Sequence, residues 1–382
     1  MKKYVYIVGL SEFASRMNFM ALTALILTFP NKEWLFTAFF LVRQIGALLM
    51  SPIAGKLADR FDRRKLMLIS DFANGFAVLL PLVGTSSMIV ISAFILGCTN
   101  QSFYIGYEAS IPDMFGKDRG YDINALIVRI ASFASIIGFI IGGWVTEKLG
   151  ILPVIVFDSI TYFVATIFLY SISWTSSLHQ RNKEIGKLNK KKDALEKNKI
   201  SSEVKWLLII LFFFTLAVSG YNFSLPLWAE TYNQPSLVNG VFWAILSLGS
   251  FVGSMMNKKS VNMKSLAFIF LAFALSLVFS FTFKTVYVAV PLLFFVGFFE
   301  GRSQIISTSL LQMTSSVQRG RIFGLQGVLT RTGFLIGFIL CPISVSILGI
   351  SGNVWALQSL LMVCAITYLI YEKWGLFKST FS

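Results

Sequence analysis

Eleven residues, Gly55-Lys56-Leu57-Ala58-Asp59-Arg60-Phe61-Asp62-Arg63-Arg64-Lys65, stand between two apolar runs at roughly 34–54 and 66–83. Each run is long enough to cross a bilayer as a helix, which takes about 20 apolar residues. A loop this short and this basic, joined to two spanning helices, constrains the fold more than any other stretch of the chain. It belongs on the cytoplasmic side, because cytoplasmic loops carry the excess of Lys and Arg. Once one loop has a side, alternation gives a side to all the others.

Apolar runs at 5–28, 34–54, 66–83, 88–111, 123–144, 151–171, 206–228, 238–256, 265–282, 286–311, 322–347 and 353–371 give about twelve candidate spans, with limits uncertain by about 2–4 residues. With the amino end inside, the cytoplasmic segments hold Lys2, Lys3, the Lys56–Lys65 cluster, Lys117, Arg119, every basic residue from Arg181 to Lys205, Lys258, Lys259, Lys264, Arg319, Arg321, Lys373 and Lys378. The opposite side holds only Lys32, Lys148 and Lys284. That asymmetry puts both termini in the cytoplasm and accounts for the net charge of +15 without nucleic acid. Composition agrees: 13% of residues are charged, against about 25% in ordinary soluble domains.

Cys98, Cys341 and Cys364 all fall in apolar runs, so neither a disulfide framework nor a metal site is expected. His179, the only histidine, lies in a polar loop without Cys neighbours. Met1-Lys2-Lys3 and the run behind it resemble a signal peptide. That run carries Glu12 and Arg16 and lacks a small-residue cleavage site, so it reads as a retained first helix. The long polar stretch, 173–205, contains Lys190-Lys191-Lys192 together with Glu184, Asp193 and Glu196. It divides the chain into a six-helix half at 1–172 and a second at 206–382. It reads as a solvated linker that anchors topology, with contact to anionic lipid headgroups as the alternative. Aromatic residues are not interleaved with its charges, which argues against nucleic acid.

The loop after the second span resembles the signature Gly-x-Leu-Ala-Asp-Arg-x-Gly-Arg-Arg/Lys of the major facilitator superfamily, with Asp62 where that pattern prefers Gly. Gly320-Arg321-Ile322-Phe323-Gly324, entering the eleventh span, is similar to the Gly-Arg-x-Phe-Gly run of the same family. Gly138-Phe139-Ile140-Ile141-Gly142-Gly143 is similar to its antiporter motif, with Phe139 in place of proline. Ile111-Pro112-Asp113 and Phe157-Asp158-Ser159 resemble the exporter branch that contains macrolide efflux proteins and the enterobactin exporter. The counterpart of the first loop in the second half, around Asn257-Lys258-Lys259-Ser260, has no acid matching Asp59. The resemblance covers nearly the whole chain. It implies an all-α membrane protein with two repeated six-helix halves around a midplane substrate site. It also implies a conformational latch made by Gly55, Asp59, Arg60, Arg63 and Arg64. In it Asp59 accepts hydrogen bonds at the start of the eleventh helix, where free N–H groups and the helix dipole favour an anion, and Arg321 is the candidate partner.

Charges inside spans point to function. Arg16, Arg43, Arg129, Arg302 and Arg331 lie there, as do Glu12, Asp158 and Glu300. Each Arg at a helix centre costs about 2.5–3.5 kcal/mol on insertion scales, so five unpaired ones would cost on the order of 12–17 kcal/mol. They must therefore face protein or a wet cavity. Glu12 and Arg16 have the spacing that lets an acid and a base meet on one helical face, which Phe19 and Thr23 extend. Glu300, Gln304 and Ser307 align on the tenth span, whereas Arg302 points among Phe295, Phe298, Ile305 and Ile306 and reads as structural.

In the family the first, fourth, seventh and tenth helices line the cavity. This nominates Arg16, Asn100, Gln101, Tyr104, Tyr221, Asn222, Glu300 and Gln304 for substrate, although Asn, Gln and Tyr also bridge packed membrane helices. Glu12 is the candidate for proton coupling, since a substrate competing for Arg16 would change its hold on a proton. Asp158 reads either as a structural pair or as a proton relay.

There is no Gly-x-x-x-x-Gly-Lys-Ser/Thr phosphate loop, no cofactor motif and no clustered nucleophile, so the chain does not read as an enzyme. Three readings compete. The first is a proton-coupled exporter of a small polar molecule such as a siderophore or other metallophore. The Arg surplus favours an anionic or zwitterionic cargo, because planar guanidinium holds carboxylate bidentately. The second is multidrug or macrolide efflux, which would sooner use an apolar cavity with one acid. The third is a non-transporting membrane protein. The expected setting is a bacterial cytoplasmic membrane, with a monomer surrounded by lipid.

Overall fold

A polypeptide in lipid must satisfy its backbone N–H and C=O groups internally, and long apolar runs without turn signals do so as helices. The computed structural model describes residues 2–60, 62–115, 120–172, 201–255, 262–283, 285–312 and 319–380, and within these it contains eleven α-helices. They are α1 (Lys2–Leu27), α2 (Lys32–Arg60), α3 (Arg63–Ala77), α4 (Ser86–Phe115), α5 (Gly120–Leu149) and α6 (Ile151–Ser171). After the linker come α7 (Ser202–Ala229), α8 (Pro235–Met255), α9 (Met263–Thr282), α10 (Val286–Gln312) and α11 (Arg319–Thr380). A 3-10 turn, Leu80–Val83, separates α3 from α4. Residues 173–200, and with them most of the expected linker, lie outside the described residues, as do Lys117, Arg119, Lys258 and Lys259.

Ten helical stretches among the described residues are long and apolar enough to cross a membrane. The expected eleventh and twelfth spans form one element, α11, of 62 residues. A straight helix of that length would run about 93 Å, three times the ~30 Å hydrocarbon core. Its continuity is broken at Gly349, where φ is 73° and ψ 178°. A single residue with positive φ, which glycine adopts without penalty, turns the chain too tightly to open a loop between the two arms. Gly150 does the same between α5 and α6, with φ 81° and ψ −175°.

The chain divides into two compact units, residues 1–194 with 229–244, and residues 195–228 with 245–382. In the first, α1 packs on α5 and α6, α2 on α4, and α3 on α4 and α6. Helices approach closely where a side chain is missing, the small-residue packing common in membranes. A Cβ on Gly97 would meet the Arg43 carbonyl oxygen at 2.1 Å, and one on Gly46 the Phe94 oxygen at 2.7 Å, so α2 and α4 touch backbone to backbone. Gly138 and Gly142 of α5 accept Phe13, Arg16 and Met17 of α1 in the same way. At the end bearing the α1–α2 turn, Lys32 pairs with Glu230 at 2.6 Å. There Glu147 accepts the Ser236 N–H at 3.0 Å, which caps the first turn of α8.

Asp62, the departure from the family pattern, is the N-cap of α3, and its side chain accepts the Arg64 N–H at 3.0 Å. Arg64 in turn donates to the carbonyl oxygens of Leu169, at 3.2 Å, and Tyr170. Both carbonyls lie in the last turn of α6, where a cation is also favoured by the helix dipole.

The second unit repeats these devices. Gly249 and Gly253 of α8 face Phe294 and Phe298 of α10, while Gly297 and Gly301 of α10 face Leu246 and Ser250 of α8. Gly333 and Gly337 of α11 receive Phe212, Leu216 and Ser219 of α7. Beyond the Gly349 joint, Gln358 donates to the Ala217 carbonyl at 2.9 Å and Asn353 to Ser224 Oγ at 2.9 Å. Cys98, Cys341 and Cys364 are free thiols.

Candidate functional site

The glycine pair of α5 sets the position of Arg16. A Cβ on Gly138 would stand 2.9 Å from Arg16 Cβ, so the bare helix surface lets α1 lie against α5 at that turn. From there the Arg16 guanidinium lies 5.7 Å from the Phe139 ring centroid and donates through Nη2 to Glu12, its i−4 neighbour. Its Nε is buried without a hydrogen-bond partner among the described residues, while the side chain as a whole is 41% exposed. The Glu12 carboxylate also accepts from Tyr104 of α4, Oη to Oε2 at 2.9 Å.

Two cavities meet at the Glu12–Tyr104 pair, and both residues line each of them. One is polar and lined by Ser11, Ser15, Asp71, Asn100 and Tyr162 together with that pair. The other is mostly apolar, with Val5, Val8, Tyr107, Ile127, Ile130 and Ala131 around the same carboxylate. Behind the polar cavity, Asp158 is fully engaged. It accepts from Ser15 Oγ at 3.0 Å and Asn18 Nδ2 at 2.8 Å, and Ser15 also bonds the Tyr162 hydroxyl at 3.1 Å. These bonds tie α6 to α1. In the second unit the neutral amides of Asn353 and Gln358 make the corresponding ties to α7, so a carboxylate is not required for that job.

In the second unit Tyr221 of α7 donates to Glu300 of α10 at 2.9 Å. Tyr221 is buried, Glu300 half-buried and Gln304 exposed. Asn222 returns its amide to its own helix, Nδ2 to the Val218 oxygen at 2.8 Å. Ser307 likewise bonds the Gln304 carbonyl at 3.1 Å. Arg302 is buried, in keeping with its structural reading. Asn100 accepts from Asn74 at 3.0 Å, and Gln101 lines neither cavity. Of the latch residues, Gly55 has no heavy atom of the described residues within 4 Å of its Cβ position. Arg63 donates to the Ala58 carbonyl at 3.3 Å, and Arg64 holds the end of α6. The side chains of Asp59, Arg60, Arg321 and Arg129 lie outside the described set.

Asp71 of α3 lines this polar cavity. It stands inside the apolar run 66–83 and carries the same signal, a charge within a span, that singles out Glu12 and Asp158, yet it is missing from the charges named above.

Among solved structures, the chain is similar to a bacterial homologue of the iron transporter ferroportin in an inward-facing state, with TM-score 0.70 and 16% identity, covering 96% of this chain and 99% of that one. It is similar to the human organic anion transporter MFSD10, with TM-score 0.65 and 14% identity over 96% of this chain and 98% of that one. It is also similar to the nucleoside transporter NupG, with TM-score 0.74 and 14% identity over 97% and 99%. At these identities the likeness establishes the fold. No curated protein matches the sequence. The model of the Major Facilitator Superfamily matches residues 5–338, and the chain therefore belongs to that family of membrane transporters.

Proposed function

We propose that this protein is a secondary active transporter that exports a small polar, anion-bearing organic molecule, a siderophore or other metallophore, by proton-coupled alternating access. The observation that carries this reading is the Arg16 side chain, 41% exposed, with its guanidinium beside Phe139. A guanidinium presents its donors in a planar fork that suits a carboxylate. Glu12 neutralises Arg16 while the site is empty; an anionic cargo would compete with Glu12 for it and leave that carboxylate to take a proton. Tyr104 in the first unit, and Tyr221, Glu300 and Gln304 in the second, are the further cargo-binding residues proposed for each unit. Asp158 is the secondary candidate for proton transfer, through Ser15 and Tyr162.

The architecture proposed for this function has twelve spans in halves at 1–172 and 206–382, joined by a cytoplasmic linker at 173–205, with both termini cytoplasmic and the monomer in a bacterial cytoplasmic membrane. The matching joints at Gly150 and Gly349 support counting the two arms of α11 separately. The reading keeps Gly55, Asp59, Arg60, Arg63, Arg64 and Arg321 as a latch region. The similar solved structures are described as a homologue of an iron transporter, an organic anion transporter and a nucleoside transporter, a spread that leaves cargo to be argued from the site.

Multidrug or macrolide efflux is the second reading, and the apolar cavity with Glu12 in its wall favours it. The two separate in everted vesicles carrying the protein. With an imposed pH gradient, accumulation of a carboxylate-bearing metallophore that collapses with the gradient supports the first. Gradient-driven accumulation of a macrolide, with none of the metallophore, favours the second. Failure of the gradient to drive either refutes both.

A further inference from the structure

We propose that the polar cavity of the first unit is a binding site for a monovalent coupling cation, a proton or Na⁺, with Asp71 as its carboxylate; this rests on the reading of the protein as an ion-coupled transporter but reassigns the coupling group. Asp71 is 3% exposed and faces the cavity. Among the described residues it has neither a hydrogen bond nor an ion pair, unlike the other two acids of the chamber. Glu12 has Arg16 and Tyr104; Asp158 has Ser15 and Asn18. An ionised carboxylate taken out of water without a counter-charge is costly. A proton on its oxygen, or a cation beside it, removes that cost.

The groups around Asp71 suit a hard cation, which prefers oxygen ligands. From α1 come the hydroxyls of Ser11 and Ser15 and the Glu12 carboxylate, and from α4 comes the Asn100 amide. Titratable groups on the packed elements include, among the described residues, Tyr4, Glu12 and Arg16 on α1, Tyr104 and Tyr107 on α4, and Asp158 and Tyr162 on α6, with Arg43 on α2 a further cation. Tyr162 lines the same cavity as Asp71. The Tyr4 and Tyr107 hydroxyls are buried without hydrogen-bond partners among the described residues. The architecture does not need the acid: α9, the third helix of the second half, has no acidic residue from Met263 to Thr282.

The test uses the purified full-length protein and the ion alone, without cargo. ²²Na⁺ binding is measured by scintillation proximity, and the infrared carbonyl band of protonated buried carboxyls is followed across pH, for wild type, Asp71→Asn, Asp71→Glu and Asp158→Asn. Saturable Na⁺ binding that is lost, or weakened about tenfold or more, in Asp71→Asn and kept in Asp158→Asn identifies Na⁺; tenfold corresponds to about 1.4 kcal/mol. Absence of Na⁺ binding, with a titrating carboxyl band that vanishes in Asp71→Asn and persists, shifted, in Asp71→Glu, identifies the proton. If Asp71→Asn does not yield folded protein, Ser11→Ala and Asn100→Ala replace it and must weaken Na⁺ binding or shift the band. Signals that are absent from wild type, or unchanged in these variants, overturn the proposal. A variant that keeps both the ion signal and gradient-driven transport sinks this assignment alone. Ion binding at Asp71 without any gradient-driven transport sinks the transport reading alone.

Discussion

At the scale of single residues, the two units contain the same bond with its ends exchanged. Glu12 on α1 accepts from Tyr104 on α4, and Tyr221 on α7 donates to Glu300 on α10, both at 2.9 Å. Their settings differ: Tyr104 is 44% exposed and Tyr221 3%. Removing one phenol from a hydrogen bond to a charged group costs about 1.5–3 kcal/mol when the group left behind is buried, and less where water replaces it. Tyr221→Phe should therefore lower stability in detergent, read by thermal unfolding, distinctly more than Tyr104→Phe. Equal losses, or the reverse order, would contradict the burial described for these side chains. The residue scale is also where the sequence was least legible. The Glu12–Arg16 pair follows from i,i+4 spacing alone. The partners of Tyr104 and Tyr221 lie 92 and 79 residues away, and only helix packing brings them together. Asn222, nominated because its helix lines the cavity in the family, also bonds the Val218 carbonyl of its own helix, a contact that spacing along one helix does allow.

At the scale of elements, glycine spacing carries the information. Gly138 and Gly142 let α5 meet α1, Gly333 and Gly337 let α11 meet α7, and the Gly249/Gly253 and Gly297/Gly301 pairs interlock α8 with α10. The run Gly138–Gly143 resembles a family motif; its physical work here is to bring backbone against backbone and fix Arg16. A Cβ on Gly142 would lie 2.4 Å from Met17 Cα, and one on Gly301 2.2 Å from the Ser250 oxygen, whereas Gly327 has open space. Gly142→Ala and Gly301→Ala should each destabilise by about 1–3 kcal/mol through overpacking. Gly327→Ala should be neutral or stabilising by up to about 1 kcal/mol, the helix-propensity gain. Thermal unfolding of the three variants checks this, and a loss in Gly327→Ala equal to the others would contradict it. Helix positions were legible because apolar runs are long and unambiguous. The merger of the last two spans was not, because a one-residue joint leaves no polar loop to read.

At the scale of the whole molecule, charge segregation and the facilitator fold belong to one account. The basic loops predict that cysteines introduced at Gly186 and Gln234 label from opposite faces of the membrane; labelling from one face would overturn the twelve-span topology. The same account assigns the ion to the first unit and the cargo anion to Arg16. Its central claim is that an anionic cargo displaces Glu12 from Arg16, and proteoliposomes with and without an imposed pH gradient test it most directly. Arg16→Ala should abolish gradient-driven transport of a carboxylate-bearing metallophore while leaving transport of a neutral compound largely intact. Transport of the metallophore by Arg16→Ala at the wild-type rate would contradict the claim.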